Sequence, residues 1–406
     1  MTSVLGPKVS LTIDGNAGVF EAFVSAVTVE RSLDKATLIS VTLANPFVDA
    51  AGSRRTSKLA FTDSAALQPG GIVEVFAGYD RGELIPLGAG VIRRWNPSFP
   101  RSDTPTITIK ALDGLALMMD GIDGVNATEA IRFEPDTSMI DVVVSIVKRY
   151  GFDTANVDTS APVPTLSVPA QKKAGTTDYQ FVRSIANSIG WEFFAEWDPV
   201  RRQWFVFFRP PVPDQSAKQV FTWGPDFEAG GVGGLLLDFD VDFATHGTST
   251  DVEVFYFDRG ARIWEKIEWP PPDKKAKGKK RKEFEWKGDD TTIEADLQAV
   301  GDADGARGLR IQASGVSVEV IPATGFRSSE EAVAFARQWW EARQSTLITG
   351  TGTTIGDPLL QPGQVHTLRG IGEGLSGDWY IAETTHRFLA GGDRYTTAFT
   401  ARKAIP

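Results

Sequence analysis

Apolar and polar positions alternate along the first part of the chain and predict β-strands. The alternation is clear at Val9–Ile13, Phe23–Arg31 and Leu38–Leu43, and similar segments follow the turn at Gly70. A period of two, interrupted by glycine and rich in β-branched residues, is typical of antiparallel strands with one buried face. Residues 8–120 are therefore predicted to be all-β.

Between residues 120 and 230 the apolar period lengthens to that of helices. Apolar positions at i, i+3, i+4 and i+7 from Ile140 predict a helix capped by Asp136 or Thr137. A capping-box pattern at 177–180 predicts a second helix, and aromatic strands follow it. This segment is predicted to be a small α+β module.

Strict alternation returns at Leu237–Phe243. It predicts that the four apolar residues face a core together, while Asp238, Asp240 and Asp242 face water. Strands from Asp251 onward are expected to continue a second β-domain, and a helix capped by Ser328 is expected to lead into a final three-stranded meander.

The final meander repeats a pattern found near the start of the chain. Leu67–Gly70 and Leu360–Gly363 share the sequence Leu-Gln-Pro-Gly, and each precedes a strand. The sixteen-residue spacing from Val91 to Ile107 also recurs in the last meander. Such self-similarity indicates one small β-domain used twice, although two unrelated meanders would share these features.

The net charge of −10 is spread unevenly over the 406 residues. Lys274–Lys282 holds seven basic residues in nine, and the remaining 35 basic and 52 acidic residues give −17. A protein with this excess of acidic residues is poorly suited to binding the phosphate backbone of a nucleic acid. The basic run is interpreted as a solvated loop, a contact with acidic neighbouring subunits, or a nucleic-acid contact. Deletion of Asp273–Lys282 is expected to leave folding intact.

Other compositional features narrow the class of protein. The chain has no cysteine, which excludes disulfides and thiolate metal sites. No run approaches the ~18–20 apolar residues of a membrane span, and Met1–Gly15 lacks the pattern of a signal peptide. We expect a protein that folds and assembles in a reducing cytoplasm.

Candidate chemical sites fail on residue type or spacing. Asp238, Asp240 and Asp242 begin like a calcium loop, but Phe243 and Ser249 stand where glycine and a bidentate glutamate are required. The other candidates are His246, His366, His386, the Glu383 and His386 pair, Gly230–Gly234 and Asp289–Asp290. The histidines are scattered without the spacing of metal ligands, and Glu383 and His386 would lie on opposite faces of a strand. The glycines lack the Lys-Ser/Thr that follows them in a phosphate-binding loop. The two aspartates suit a solvated loop. The sequence predicts no catalytic, cofactor-binding or metal site and no enzyme.

Four features, in order, resemble the tail baseplate hub proteins of bacteriophages, the late-control protein D group. They are the first β-domain, Thr177–Phe193, Gly356–Gly363, and Ser376–Phe388 with Tyr395–Thr397. The group is similar to contractile-tail hubs and to the N-terminal part of type VI secretion spike proteins. The resemblance spans nearly the whole chain. The Pro/Lys-rich segment and the end at Pro406, with no spike region behind it, depart from the pattern.

The resemblance implies a mainly β fold with an α+β middle module. Two similar small β-barrel domains, 1–119 and 232–406, would flank a hub module at 120–231, with the Pro/Lys-rich insertion at about 265–300. It implies a homotrimer in the virion tail baseplate that adapts a sixfold tail tube to a threefold spike around a central channel. Implied partners are further copies of the chain, a tail tube or distal tail protein, a separate spike protein, a tape-measure protein and the baseplate wedge. No cofactor, membrane or specific nucleic-acid partner is implied, although DNA could pass through the channel.

Two alternatives stay open at this point. The chain could be the hub of a phage-derived contractile injection system that delivers protein effectors. It could also be a carbohydrate-binding or hydrolysing multidomain protein, which eleven tryptophans and the β-rich pattern would suit.

Overall fold

The computed structural model describes most of the chain. The described residues are 6–49, 57–79, 82–122, 124–134, 137–161, 163, 170–224, 234–243, 251–258, 263–269, 310–313, 316–324, 326, 328–344, 348–390 and 394–403. The Lys274–Lys282 run, His246, Ser249 and Asp289–Asp290 lie outside the described residues, so the predictions made for them stay predictions.

The described secondary structure is mostly strand. The strands are β1 (Pro7–Ile13), β2 (Asn16–Ala17), β3 (Val24–Ser32), β4 (Leu38–Ala44), β5 (Phe47–Asp49), β6 (Ser57–Leu59), β7 (Ile72–Tyr79), β8 (Ile85–Ser98), β9 (Thr106–Leu112), β10 (Ile131–Phe133), β11 (Ala170–Lys172), β12 (Glu192–Asp198), β13 (Gln203–Arg209), β14 (Val220–Trp223), β15 (Gly234–Phe243), β16 (Asp251–Asp258), β17 (Ile263–Trp269), β18 (Arg310–Ala313), β19 (Val316–Thr324), β20 (Ile348–Ile355), β21 (Val365–Arg369), β22 (Gly377–Leu389) and β23 (Arg394–Lys403). The helices are α1 (Leu117–Asp120), α2 (Met139–Lys148), α3 (Asp178–Ile189) and α4 (Ser329–Gln344).

Two β-domains enclose separate apolar cores. In the first, β1, β7, β8, β9, β4 and β3 pair in that order around residues such as Leu11, Val41 and Ile109, all at most 1% exposed. In the second, β14, β21, β22, β23, β20 and β15 pair in order, and a parallel pairing of β15 with β14 closes a barrel. The expectation of a mainly β fold with two small β-barrel domains and an α+β middle module is confirmed.

The two β-domains are built on the same plan. Their strands are connected in the same order. β1, β3 and β4 of the first domain correspond to β14, β15 and β20 of the second, and β7, β8 and β9 correspond to β21, β22 and β23. Each carries β-bulges at matching places: Arg93 of β8 corresponds to Ala382 of β22, and Ser25 of β3 to Leu237 of β15. One difference is that β1 runs antiparallel to β7, whereas β14 runs parallel to β21. Bulges kink strands at fixed positions, so their coincidence supports an internal repeat.

The middle module has its own core of helices against aromatic strands. α2 and α3 pack with the β12–β13 hairpin, and Val143, Val182 and Phe208 are fully buried. The predicted capping box is present: Thr177 accepts from the Gln180 amide, and Gln180 accepts from the Thr177 amide, both at 3.1 Å. The predicted cap of α2 is wrong, because Ser138 caps it and accepts from the Ile140 amide; the Thr137 hydroxyl instead donates to a preceding carbonyl.

The segment between β15 and β20 joins this middle core rather than the second barrel. Its strands form a separate sheet in the order β17, β16, β19, β18, and α4 packs against it. Val252, Val254, Phe335 and Trp339 belong to the same buried cluster as Val182. The expectation that the strands after Asp251 continue the second barrel is therefore wrong. The second barrel closes without these strands, because β15 pairs with β14. The strands are therefore free to bury the apolar face of α4. The boundaries at 119 and 231 stay a prediction, since the main sheet draws strands from all three predicted segments.

Candidate functional site

The two β-domains share one continuous antiparallel sheet with a polar outer face. Eight of its strands follow in the order β8, β9, β4, β3, β22, β23, β20 and β15. The domains join where β3 and β22 pair over seven residues, from Ser32 opposite Glu383 to Ala26 opposite Leu389. Hydroxyl side chains fill much of the outer face, namely those of Thr28, Ser40, Thr42, Thr108, Thr351, Thr353, Thr385, Thr396 and Thr400.

Charge differs between the two edges of this polar eight-stranded face. At the β15 edge, Asp238, Asp240 and Asp242 are exposed. At the β8 edge, Arg94 is exposed, and Lys110 stands beside it on β9. One edge of the sheet is therefore acidic and the other basic.

The acidic strand faces as predicted at Phe239 and Val241 but not at Leu237. Phe239 packs against Trp379 at 4.9 Å between ring centroids, and Val241 contacts the same core. The expectation that Leu237 shares this face is wrong: Leu237 is 44% exposed, while Leu236 is buried. The bulge between Leu236 and Asp238 adds one residue, so Leu236 faces the core in place of Leu237. The side chain of Phe243 lies outside the described residues.

The two described histidines are core residues held neutral. His386 is 1% exposed, with Nδ1 lying 3.0 Å from the Tyr395 hydroxyl and 3.1 Å from Thr397 Oγ1. Burial lowers the pKa of His386 to about 3 and that of His366 to about 4. Glu383 lies on the outer face, where its carboxylate accepts a hydrogen bond from Lys35 at 2.8 Å. Glu383 and His386 therefore lie on opposite faces of β22, as predicted. Among the described residues, no group of three His, Asp or Glu could hold a metal ion.

The Gly356–Gly363 loop ties the two β-domains together. The Gly356 amide donates to the Tyr395 carbonyl at 2.7 Å, and the Gly356 carbonyl accepts from the Tyr79 hydroxyl of β7 at 2.6 Å. Gln361 Nε2 donates to the Pro86 carbonyl of β8 at 3.3 Å. This motif of the predicted resemblance is therefore a junction between domains, which sequence spacing alone did not reveal.

Two buried carboxylates reinforce the middle module and its junction with the second barrel. Asp178 lies 2.5 Å from Lys172 Nζ, both fully buried, and accepts from the Tyr150 hydroxyl at 2.7 Å. Glu192 accepts from the Tyr380 hydroxyl of β22 at 2.6 Å. Burial raises the pKa of Glu192 to about 7, against the opposing effects of Tyr380 and the Arg209 guanidinium. Sequence reasoning missed both groups, because nothing in the local pattern marks a carboxylate as buried.

The described part of the chain has a small cavity beside the middle module and a more open recess of about 270 Å³ on the polar eight-stranded face, lined by residues such as Thr351 and Thr385. A cavity of about 100 Å³ lies where β3, β8 and β12 meet, and Arg31, Asp113 and Glu196 are among its lining residues. Arg31 pairs with Glu196 at 2.7 Å, and Asp113 accepts from the Thr37 and Leu115 amides. These polar groups are occupied in holding the chain together. Within the described ranges, no helix has the length and apolar character needed to cross a membrane.

Comparison with known proteins rests on fold alone. No family model matches the chain, and no curated protein matches it in sequence. The tail protein from Neisseria meningitidis superposes with a TM-score of 0.59 at 11% identity, covering 98% of this chain and 97% of that one. The 43 kDa tail protein of prophage MuSo2 from Shewanella oneidensis gives 0.56 at 13% identity, covering 97% and 98%. An E. coli component of the type VI secretion system, structurally similar to T4 bacteriophage tail proteins, gives 0.51 at 12% identity, covering 96% and 76%. The fold of this chain, from its first β-domain to its last meander, is thus the fold of these phage tail and type VI secretion proteins.

Proposed function

We propose that this chain is a structural, non-enzymatic baseplate hub that works as a homotrimer. The observation that carries the proposal is the internal repeat, in which two β-domains of one plan stand side by side in one sheet. Three copies of such a chain supply six near-equivalent β-domains around a threefold axis. That arrangement matches a sixfold tail tube on one side, while the single middle module of each chain keeps threefold symmetry for a spike.

The polar eight-stranded face is the surface proposed to line the central channel. This face is rich in uncharged threonine hydroxyls and carries the acidic row of β15 at one edge, with Arg94 and Lys110 at the other. Like charges repel polyanionic DNA, and no counterions are released on contact, so DNA would slide without sticking. A separate spike protein and a tail tube or distal tail protein are the proposed partners in the virion baseplate.

A second candidate is the hub of a contractile injection system that delivers protein effectors. The match to the type VI secretion component supports it, although that match has a lower TM-score and covers less of the other chain than the matches to phage tail proteins. The two candidates share the trimeric hub and differ only in cargo.

Mass in solution tests the proposal directly. Light scattering of the purified chain should give three times the 44.1 kDa chain mass, and electron microscopy should show six β-domains around one opening. A monomer or dimer at tens of micromolar, alone and in the presence of its spike partner, would contradict the hub.

A further inference from the structure

The eight-stranded sheet ends, among the described residues, in two strand edges that have no partner strand. On β8, residues 94–98 pair with β9 on one side, while β7 reaches only as far as Val91 on the other. On β15, residues 238–243 pair with β20 on one side, while β14 covers only Gly234–Leu236 on the other. Open edges of this kind are templates for pairing with another chain.

The internal repeat shows what should cover these edges. Because the bulges align the two domains residue by residue, Arg94–Ser98 of β8 corresponds to Glu383–Arg387 of β22. In the same way, Asp238–Asp242 of β15 corresponds to Ala26–Glu30 of β3. These counterparts on β22 and β3 are paired with each other inside the chain. The edges left open are therefore the two halves of a junction that the chain has already formed once.

We propose that β8 of one copy pairs antiparallel with β15 of the next copy, in the register of the β22–β3 junction. Asn96 then stands opposite Asp242, because Thr385 stands opposite Glu30, and Ser98 stands opposite Asp240, because Arg387 stands opposite Thr28. The pairing continues the eight-stranded sheet from copy to copy. It rests on the proposed ring of copies and specifies the seam within it.

An exposed phenylalanine supports this seam independently of hydrogen bonding. Phe388 of β22 stands opposite Val27 and is partly buried against the core of the first domain. Its counterpart beyond the end of β8 is Phe99, which is 58% exposed. In the proposed register Phe99 meets Phe239, whose ring already contacts the core of the second domain. Leu237, at 44% exposure, lies beside this contact, so the seam would bury both side chains.

Charge complementarity points to the same partner edge. The β15 edge presents Asp238, Asp240 and Asp242, whereas the β8 edge presents Arg94 with Lys110 beside it. Arg94 would lie diagonally across from Asp242, a spacing within reach of long side chains. Pro97 has no N–H, so one ladder hydrogen bond is missing on one side of β8. Opposite charges across the seam favour one edge-to-edge pairing over self-pairing of either edge.

Disulfide trapping tests the register. The chain has no native cysteine, so any disulfide must form between the introduced residues. In the double variant N96C/D242C, mild oxidation should link copies into covalent dimers and trimers on a non-reducing gel. The matched variant E30C/T385C places cysteines at the equivalent intrachain pair and should form a disulfide within one chain. The offset variant N96C/D238C moves one cysteine four residues, about 13 Å along the strand, and should link poorly. The three positions changed in the two interchain variants, Asn96, Asp238 and Asp242, are all exposed.

The outcomes separate the seam from the ring. A trimer in which E30C/T385C forms its disulfide but N96C/D242C links no better than N96C/D238C overturns the seam and leaves the hub intact. A protein that stays monomeric and links in neither interchain variant overturns both.

A substitution without cysteine gives a second test. Phe99→Glu should raise the concentration at which copies associate by about tenfold or more, while leaving the monomer folded, because Phe99 is exposed. Val200→Glu, at an 89% exposed position on the β12–β13 turn, is the control. Equal effects of the two substitutions would overturn the seam.

Discussion

Gly356 stands where the structure leaves no room for any side chain. A Cβ placed on Gly356 would lie 2.0 Å from Cγ and 2.2 Å from Cδ1 of Tyr395. Real Cβ atoms essentially never approach within 3.0 Å of a heavy atom outside their own residue and its chain neighbours. The ring cannot easily move, because Tyr395 is 4% exposed and its hydroxyl lies 3.0 Å from buried His386 Nδ1. Either the loop or the ring must shift to admit a methyl group.

The expected cost of Gly356→Ala follows from these contacts. Overpacking of a tight site typically costs ~1–3 kcal/mol, and this overlap lies at the severe end. If the loop moves instead, the bond from the Tyr79 hydroxyl to the Gly356 carbonyl is lost as well, at about 1 kcal/mol. We therefore expect a loss of about 3–4 kcal/mol in the free energy of unfolding.

The control is Gly374→Ala, at an exposed turn where an added Cβ meets nothing within 4 Å. Both substitutions reduce the entropy of the unfolded chain equally, so their difference isolates the clash. Urea unfolding followed by tryptophan fluorescence, at one protein concentration, measures both. Gly374→Ala should stay within about 0.5 kcal/mol of the parent. If Gly356→Ala lies within about 1 kcal/mol of that control, the loop and the Tyr395 ring are not in contact as described.

Three further predictions concern groups in the barrel and at the junctions. Phe239→Ala should cost about 3 kcal/mol in urea unfolding, because it removes a ring between Trp379 and Phe399, whereas exposed Asp240→Ala should barely matter; a larger loss from the aspartate would show that the facing is wrong. Asp178→Ala should cost ~3–5 kcal/mol by leaving Lys172 charged and buried, and D178A/K172M should recover part of the loss; no recovery would argue against the ion pair. The pKa of Glu192 is about 7 in the folded state and about 4.3 in the unfolded state, so the folded state keeps its proton to a higher pH. The free energy of unfolding therefore falls as the pH rises from about 4.3 through 7. Melting curves of Glu192→Gln should lack this decline, worth about 4 kcal/mol at most. An identical pH dependence in parent and variant would contradict the assignment.

Local chemistry in the sequence determined much of the fold. The helical period placed Val143, Val182 and Phe335 in cores, where each is at most 1% exposed. A period of two put Glu383 and His386 on opposite faces of β22, as found. These predictions hold because side-chain direction in a regular helix or strand depends only on the local backbone. The resemblance to tail proteins, carried by the first β-domain and three shorter motifs in order, is matched by the fold.

Features set by distant contacts escaped the sequence. The bulge at Leu237 reverses one residue's facing, and its position is fixed by pairing with β20 rather than by local propensity. The sheet of β16–β19 joins the middle core because α4 and the middle module present it with a matching apolar face. Whether Asp178 and Glu192 are buried depends on packing against other elements: Asp178 contacts Tyr150, just after α2, and Glu192 contacts Tyr380, 188 residues away.

The junction of β3 with β22 is the clearest case of a feature decided by tertiary structure. Each strand alone shows only an alternating pattern, and nothing in that pattern selects a partner more than 350 residues away. Backbone hydrogen bonds are the same for every sequence, so the choice falls to packing, bulge positions and chain connection. The sequence determined which segments are strands and which faces are apolar, and only the assembled sheet decided which edges meet and which remain open.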